Sequence, residues 1–451
     1  MKKQITTSAI ALMLICASHS ASAATTVITL SGNLSARDLA ENSDLKTAHT
    51  IDLSEAAIVE YSDKEPIVGN YTYYPADELP KYCFMGIAAE TIILPSSIKV
   101  VGEGAFAGCE NLKSIVIPSA VTEIDSYAFS GCKSLATVGG GENIITIGDY
   151  AFSGNTSLTS LPCFAKVESI GGYAFKGCTS LGSVPFSVTT SAIGEGAFKG
   201  CPIASIDLGG CNNLKVIGAW AFADNSALTE VYLPSGLTSL GDGAFFYSTA
   251  LQSVVFPEGL AKINDYAFMG GSLISEATLP EGLESIGNYA FSDWGAIGTI
   301  SLPSTLTTIG ERAMRNWTSL SSMTCDATVP PTLGDNVWEG VSKDRVTLNV
   351  PVTSEALYKS AEQWCDFFNS SSTEQLSSKL LTATINGDVL TLKSSLEITS
   401  VMLYDMSGIL LTMQLPMALQ AQLSLANYSA RNYVVRCTFG DNNVEIIKIA
   451  R

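Results

Sequence analysis

The chain has 451 residues, with 25 Lys and Arg against 43 Asp and Glu, two histidines and a net charge of −18. That balance excludes a phosphate-backbone partner, which needs clustered cations, and, once the leader that carries His19 is removed, too few histidines remain for a zinc centre built on two or three of them. At 46% apolar and 15% charged residues the chain is no disordered acidic tail, and its length allows two or three domains.

Residues 1–23 read as a cleaved signal peptide. Lys2 and Lys3 form a basic start, Ala9 to Ala17 an apolar stretch too short to span a bilayer, and Ala21-Ser22-Ala23 a small-x-small cleavage site. Ile15 precedes Cys16, where a lipidated cysteine would follow a small residue. No later stretch is long enough for a transmembrane span, so the expected location is secreted or cell-surface. His19 leaves with the leader, and any triad would have to use His49. Residues 24–80 form an N-terminal cap region. In it Thr50-Ile51-Asp52-Leu53-Ser54 reads as one degenerate strand, and His49 beside it as a partly buried or surface residue. Residues 61–79, with Tyr71, Tyr73 and Tyr74, read as an excursion.

From residue 81 to 370 one unit repeats. The phenylalanines of an Ala-Phe pair fall at Phe106, Phe129, Phe152, Phe175, Phe198, Phe222, Phe245, Phe268 and Phe291, 23 residues apart except for one step of 24. Phe84 is a degenerate member upstream; Met314 and Trp338 continue the column. A clean unit runs Leu112-Lys113-Ser114-Ile115-Val116-Ile117-Pro118, then Val121, Ile124-Asp125 and Tyr127-Ala128-Phe129-Ser130-Gly131-Cys132. Proline cannot donate to a ladder, so it closes the strand and turns the chain. So short a unit cannot bury its own apolar face, but stacked on its neighbours it can, which predicts a solenoid. At a strand spacing of about 4.8 Å, roughly eleven coils make a body about 50 Å long.

The pattern Leu-x-x-Ile-x-Ile-Pro, a gap, then Ile-Gly-x-x-Ala-Phe-x-Gly-Cys resembles the BspA-like leucine-rich repeats of bacterial surface and secreted proteins. The resemblance implies a surface-associated binding protein, since such proteins are associated with adhesion to extracellular-matrix proteins and with coaggregation. The array should end in Leu348-Asn349-Val350-Pro351 and a capping helix from Ser354 to Phe368. Leu357, Ala361, Trp364 and Phe368 would form the face that covers the last coil.

Residues 380–451 hold short apolar strands and an Asn386-Gly387 hairpin signal, which predicts a small antiparallel β-sandwich. Leu403-Tyr404-Asp405-Met406-Ser407-Gly408, the Tyr433 strand and the terminal Ile446-Ile447-Lys448-Ile449-Ala450-Arg451 resemble a type IX secretion sorting tail. Arg431 stands where that family usually has Gly, and the Pro-Asn-Pro opening is missing. A plain structural domain is the other reading.

Cys109, Cys132, Cys178 and Cys201 share one repeat position with Asn155 and Asn225. Export permits disulfides between neighbouring coils. Reduced, buried thiols are the preferred reading, because Asn155 interrupts the pairing without interrupting the repeat.

Two surface columns are candidates for binding. Ser114, Thr137, Ser160, Ser183, Ser205, Glu230, Ser253, Glu276, Thr299 and Ser322 should point outward from successive strands as a hydroxyl-rich face. It is either a binding face for protein or glycan or simply a solvated sheet, which Ser and Thr ladders suit. Tyr127, Tyr150, Tyr173, Trp220, Tyr266 and Tyr289 precede Ala-Phe, interrupted by Gly104, Gly196 and Gly243. They would stack on sugars or anchor a partner, or pack over the turn below. No nucleophile elbow or dinucleotide fingerprint is present, and Asp125, Asp149 and Asp265 sit at repeat turns. The expectation is therefore a non-enzymatic protein with no cofactor, metal or nucleic-acid partner. It would bind a host extracellular or microbial surface protein, or alternatively serve as a glycan-binding or scaffold component of a surface polysaccharide system.

Overall fold

A computed structural model describes residues 26–161, 165–368, 376–377, 381–406, 409–428, 432–440 and 444–450. The expected leader, with Cys16 and His19, lies outside them, as do Cys163, Arg431 and the Ser407, Gly408 and Arg451 ends of the sorting-tail segments. The chain divides into two compact units, residues 1–367 and 368–451.

The first unit is a parallel β-solenoid. Most coils contribute a longer strand to one column and a two-residue strand to another. The two-residue strands form a continuous twelve-stranded parallel sheet, from Glu78–Leu79 to Thr332–Leu333. The longer strands form four sheet segments. These run from Val27–Thr29 to Thr137–Gly140, from Ser205–Asp207 to Glu230–Tyr232, from Ser253–Val255 to Glu276–Thr278, and from Thr299–Leu302 to Thr347–Asn349. Counted along this column there are about fourteen turns. The number exceeds eleven because the cap region supplies coils that lack the Ala-Phe signature. Val27–Thr29 pairs with Thr50–Asp52, and that strand with Thr91–Ile93, all parallel. The cap also carries a short helix, Ala36–Glu41, started by a capping box between Ser35 and Asp38. The excursion contains an antiparallel pair, Tyr61–Ser62 with Tyr73–Tyr74.

The core follows the repeat. Phe84, Phe106, Phe129, Phe152, Phe175 and Phe198 are fully buried and stack with ring centroids 4.9–5.5 Å apart. The Ile-Gly pair has a steric cause. A Cβ on Gly241 would lie 2.3 Å from the Ala219 nitrogen of the coil before it.

The array ends differently from the expectation. The helix spans only Glu355–Ser360, and Ala361 is extended. Leu357 is half exposed, and the buried residues are Tyr358, Trp364 and Phe367. The periodicity misled because the chain breaks out of the helix to cap the last coil. Gln363, at φ 61°, accepts from Val337 N (2.9 Å) and donates to Gly334 O (2.7 Å). One side-chain amide is thus inserted between the two ends of the last coil's own turn, which in other coils bond directly, as Ala313 N does to Gly310 O.

The second unit takes the form of one seven-stranded antiparallel sheet that curls on a shared strand, Val389–Asp405. Its first half lies between Leu381–Asn386 and Ala418–Ser424, its second between Leu410–Gln414 and Asn432–Phe439. The register is irregular between Lys393 and Ile398, and residues from both halves, including Leu392, Leu403, Tyr433 and Phe439, share one core.

Candidate functional site

The longer-strand column presents its alternate residues to solvent. Ser114, Thr137, Ser160, Ser183, Ser205, Glu230, Ser253, Glu276 and Thr299 are exposed, and Ser322 is half-buried. The structure brings them together in groups. Ser114 lies directly across from Thr137, and Thr137 bridges to Ser160. Ser205 faces Glu230, Ser253 faces Glu276, and Thr299 faces Ser322. Ser183 is exposed outside any strand.

A second outward column runs two residues further along the same strands. It holds Ile93, Val116, Asp207, Tyr232, Val255 and Thr278, with Val116 and Val255 about two thirds exposed (68% and 67%). Sequence reading missed it, because a valine inside an apolar strand reads as core. The period of two that picked out Ser114 also picks out Val116, and that was the available signal. Isolated exposed apolar residues are ordinary, but this column repeats at one position along the array.

The aromatic column is a backbone feature first. Tyr127, Tyr150, Tyr173, Trp220, Tyr266 and Tyr289 all have φ between 55° and 60°, and Gly104, Gly196 and Gly243 share that conformation. The position demands a left-handed residue, which explains why glycine alternates with aromatics. Tyr127, Tyr150 and Tyr173 stack at 5.0 Å, nearly parallel. Where the next coil has glycine, the preceding ring folds over it; a Cβ on Gly196 would sit 2.4 Å from the Tyr173 ring. Tyr266 stacks on Tyr289 at 5.3 Å, and the Arg312 guanidinium lies 5.9 Å from the Tyr289 ring centre. The middle ring, Tyr150, therefore has a neighbour on either side, and what the ladder offers solvent is edges and hydroxyls. Tyr173 is hydrogen-bonded to Glu195, which with burial pushes its phenol up to about 12.

The turn carboxylates bind neighbouring coils. Asp149 accepts from Gly172 N (2.6 Å) and Asp265 from Asn288 N (2.8 Å). The cysteine position is a donor site to the preceding coil's phenylalanine carbonyl. Cys132 Sγ donates to Phe106 O (3.1 Å), Cys201 to Phe175 O (3.1 Å), Asn225 Nδ2 to Phe198 O (2.9 Å) and Trp294 Nε1 to Phe268 O (2.9 Å). The nine described cysteines are free. A hydrogen bond with Cys201, together with burial, pushes the Cys178 thiol well above its ordinary value, which keeps it protonated. His49 is half-buried in the cap, with Nδ1 3.4 Å from Thr26 N.

Among the described residues no group of three or more His, Cys, Asp or Glu could hold a metal, and no helix is long and apolar enough to cross a membrane. Concavities lie toward both ends of the array. One of about 380 Å³ sits beside the cap helix, and a shallow one of about 450 Å³ runs past Lys262, Asp265, Asn288 and Thr332.

A stack of parallel coils with leucine, isoleucine and phenylalanine columns defines a leucine-rich repeat protein. The family model for the BspA type leucine rich repeat region matches residues 77–171, 146–275 and 245–369, about two thirds of the sequence, and the chain belongs to that family. Among solved structures it is similar to a leucine-rich repeat protein from Bacteroides ovatus, at 21% identity and TM-score 0.52 over 73% of this chain and 90% of that one. The pneumococcal vaccine antigen PcpA aligns at 16% identity and TM-score 0.39, over 78% of this chain and 88% of that one. A leucine rich cell surface protein from Faecalibacterium prausnitzii aligns at 20% identity and TM-score 0.27, over 72% and 95%. No curated protein matches significantly.

Proposed function

We propose that this chain is an exported, surface-associated binding protein that adheres to host or microbial macromolecules through the outward face of its longer-strand sheets. The observation that carries this reading is the pair of outward columns, one rich in hydroxyls and one holding Ile93, Val116, Tyr232 and Val255 in the open. Exposed aliphatic and aromatic groups between polar neighbours are what a protein partner desolvates. The glycan reading keeps the hydroxyl row but not the ring faces, since Tyr127, Tyr150 and Tyr173 stack on one another. The test is solid-phase binding to fibronectin and fibrinogen, beside a glycan array. It compares the unmodified protein with one carrying Val116→Lys, Tyr232→Lys and Val255→Lys. Protein binding that falls at least tenfold with an unchanged melting curve supports the face; undiminished binding rules it out.

We also propose that the C-terminal unit serves export as a sorting tail. Support comes from the adjacency of its three motif segments, which lie on the neighbouring strands Val389–Asp405, Asn432–Phe439 and Val444–Ala450. A chain ending before residue 380 should then accumulate in the periplasm of a host with that secretion system; normal surface display would end the idea.

A further inference from the structure

The Ala-Phe turn is hydrogen-bonded along the array in one direction. Tyr150 N donates to Gly172 O (2.9 Å), Phe152 N to Ala174 O (2.7 Å) and Gly154 N to Lys176 O (2.8 Å). Each coil thus turns three alternate carbonyls toward its predecessor: the residue before the left-handed position, the small residue before Phe, and the residue after Phe. In the first such turn these are Lys81, Cys83 and Met85. Tyr82, Phe84 and Gly86 donate onward to Glu103, Ala105 and Ala107 at 2.8–2.9 Å. No described backbone donor reaches the carbonyls of Lys81, Cys83 or Met85.

The place of the missing predecessor is a cleft. Its cavity of about 380 Å³ is walled by the cap helix and the excursion, with Leu39, Leu45, Val68, Cys83 and Met85 in its lining. A neighbouring space of about 510 Å³ continues it past Tyr71 and Tyr82. A row of acceptors at positions i, i+2 and i+4 on an apolar wall calls for alternate N–H donors, which a peptide backbone supplies. Sugars and small ions do not supply that spacing together with an apolar group.

We infer that this cleft binds a short peptide segment of a partner protein. The segment continues the inter-coil ladder by donating three alternate N–H groups to Lys81, Cys83 and Met85, and it sets an apolar side chain against Ile67, Val68 and the Met85 side chain. A second copy of the chain is a poorer occupant. Its last Ala-Phe-type turn is already covered, with Trp338 packed against Trp364 (5.3 Å) and Phe367 (5.2 Å). The site lies apart from the sheet face, so neither reading depends on the other.

The probe is the capped peptide Gly-Asp-Tyr-Ala-Phe-Ser-Gly-Asn, the sequence of residues 148–155, which carries the three donors in register. Binding to the full chain is followed by calorimetry and by the Met85 methyl resonance, assigned with Met85→Leu. Saturable binding that moves Met85, and weakens at least tenfold when the Phe nitrogen is N-methylated, is the expected result. Filling the cleft with Ala40→Phe should abolish binding while the melting curve stays cooperative. No saturation at millimolar peptide, or equal binding of the N-methylated form, overturns the proposal, and that comparison needs no variant. So does sedimentation showing self-association that Ala40→Phe removes, because a second copy would then be the occupant.

Discussion

At Tyr150 the side chain and the backbone want different things. Its φ of 56° strains any residue with a Cβ, by about 1–2 kcal/mol. Stacking against Tyr127 and Tyr173 returns about 0.5–1.5 kcal/mol per ring pair beyond buried area. The aromatic ladder is thus a way of occupying a left-handed position without glycine. It follows that Tyr150→Ala, which keeps the strain and loses both stacks, should be less stable than Tyr150→Gly by about 1 kcal/mol. Urea midpoints of the two variants decide this, and an alanine variant as stable as the glycine one would refute the strain account. The column was legible in the sequence as a Tyr/Gly alternation, but its cause was not. A residue name carries no φ, and the alternation only makes sense once all members share one backbone conformation.

Around Tyr71 the excursion over residues 61–79 is fastened by one carboxylate, beside the Arg37–Asp63 and Lys99–Asp77 pairs further along it. Glu103 accepts hydrogen bonds from Tyr71 (2.7 Å), Tyr82 and Lys81 (3.3 Å), and the Lys81 ammonium also lies 4.5 Å from the Tyr71 ring centre. Burial pushes the Glu103 carboxyl up, but the three donors outweigh it and hold the group below its ordinary value of 4.5. The folded pKa is depressed, so this fastening is fully present above the unfolded value and is lost as pH falls through the folded one. Amide exchange around Tyr71 should therefore speed up as pH drops below about 4.5, after correction for intrinsic rates. In Glu103→Gln it should be fast already at neutral pH and respond to pH less than in the unmodified protein, what remains belonging to Asp63; a response of undiminished size in that variant would place the switch elsewhere. Neither this clamp nor the break in the terminal cap was legible beforehand. Tyr71 and Glu103 are 32 residues apart and outside the 23-residue register, and Leu357 fell on a helical period that Ala361 ends.

As a whole, the first unit is coupled coil by coil rather than through a central core. Phe175 touches the column on both sides, at 5.2 Å to Phe152 and 5.1 Å to Phe198, and the neighbouring coils have no freedom to close over a gap. Phe175→Ala should cost about 3–5 kcal/mol. In a one-dimensional array that loss weakens one junction, so calorimetry should show the single transition lowered and broadened toward two. An unchanged transition would mean that the column carries little of the stability. Repetition is why this scale was the most legible. The periodic Phe column predicted both the stack and its burial. The count of turns was underestimated because the coil begun by Val27–Thr29 keeps the strand without the signature, the one begun by Thr50–Asp52 carries only the degenerate Phe84, and Thr347–Asn349 adds a last strand.

The forward ladder of the Ala-Phe turn has a genetic corollary. Tyr127 N donates to Asp149 O, and Tyr150 N to Gly172 O. Excising a segment one period long, such as residues 150–172, brings Tyr173 up behind Asp149, where Tyr150 had been, with the same bond to make. Unequal crossing-over between repeats can thus lengthen or shorten the gene in whole coils and leave no seam in the product. Any other frame breaks the register. The length of the array is open to rapid inheritance-level change, while its pitch is fixed.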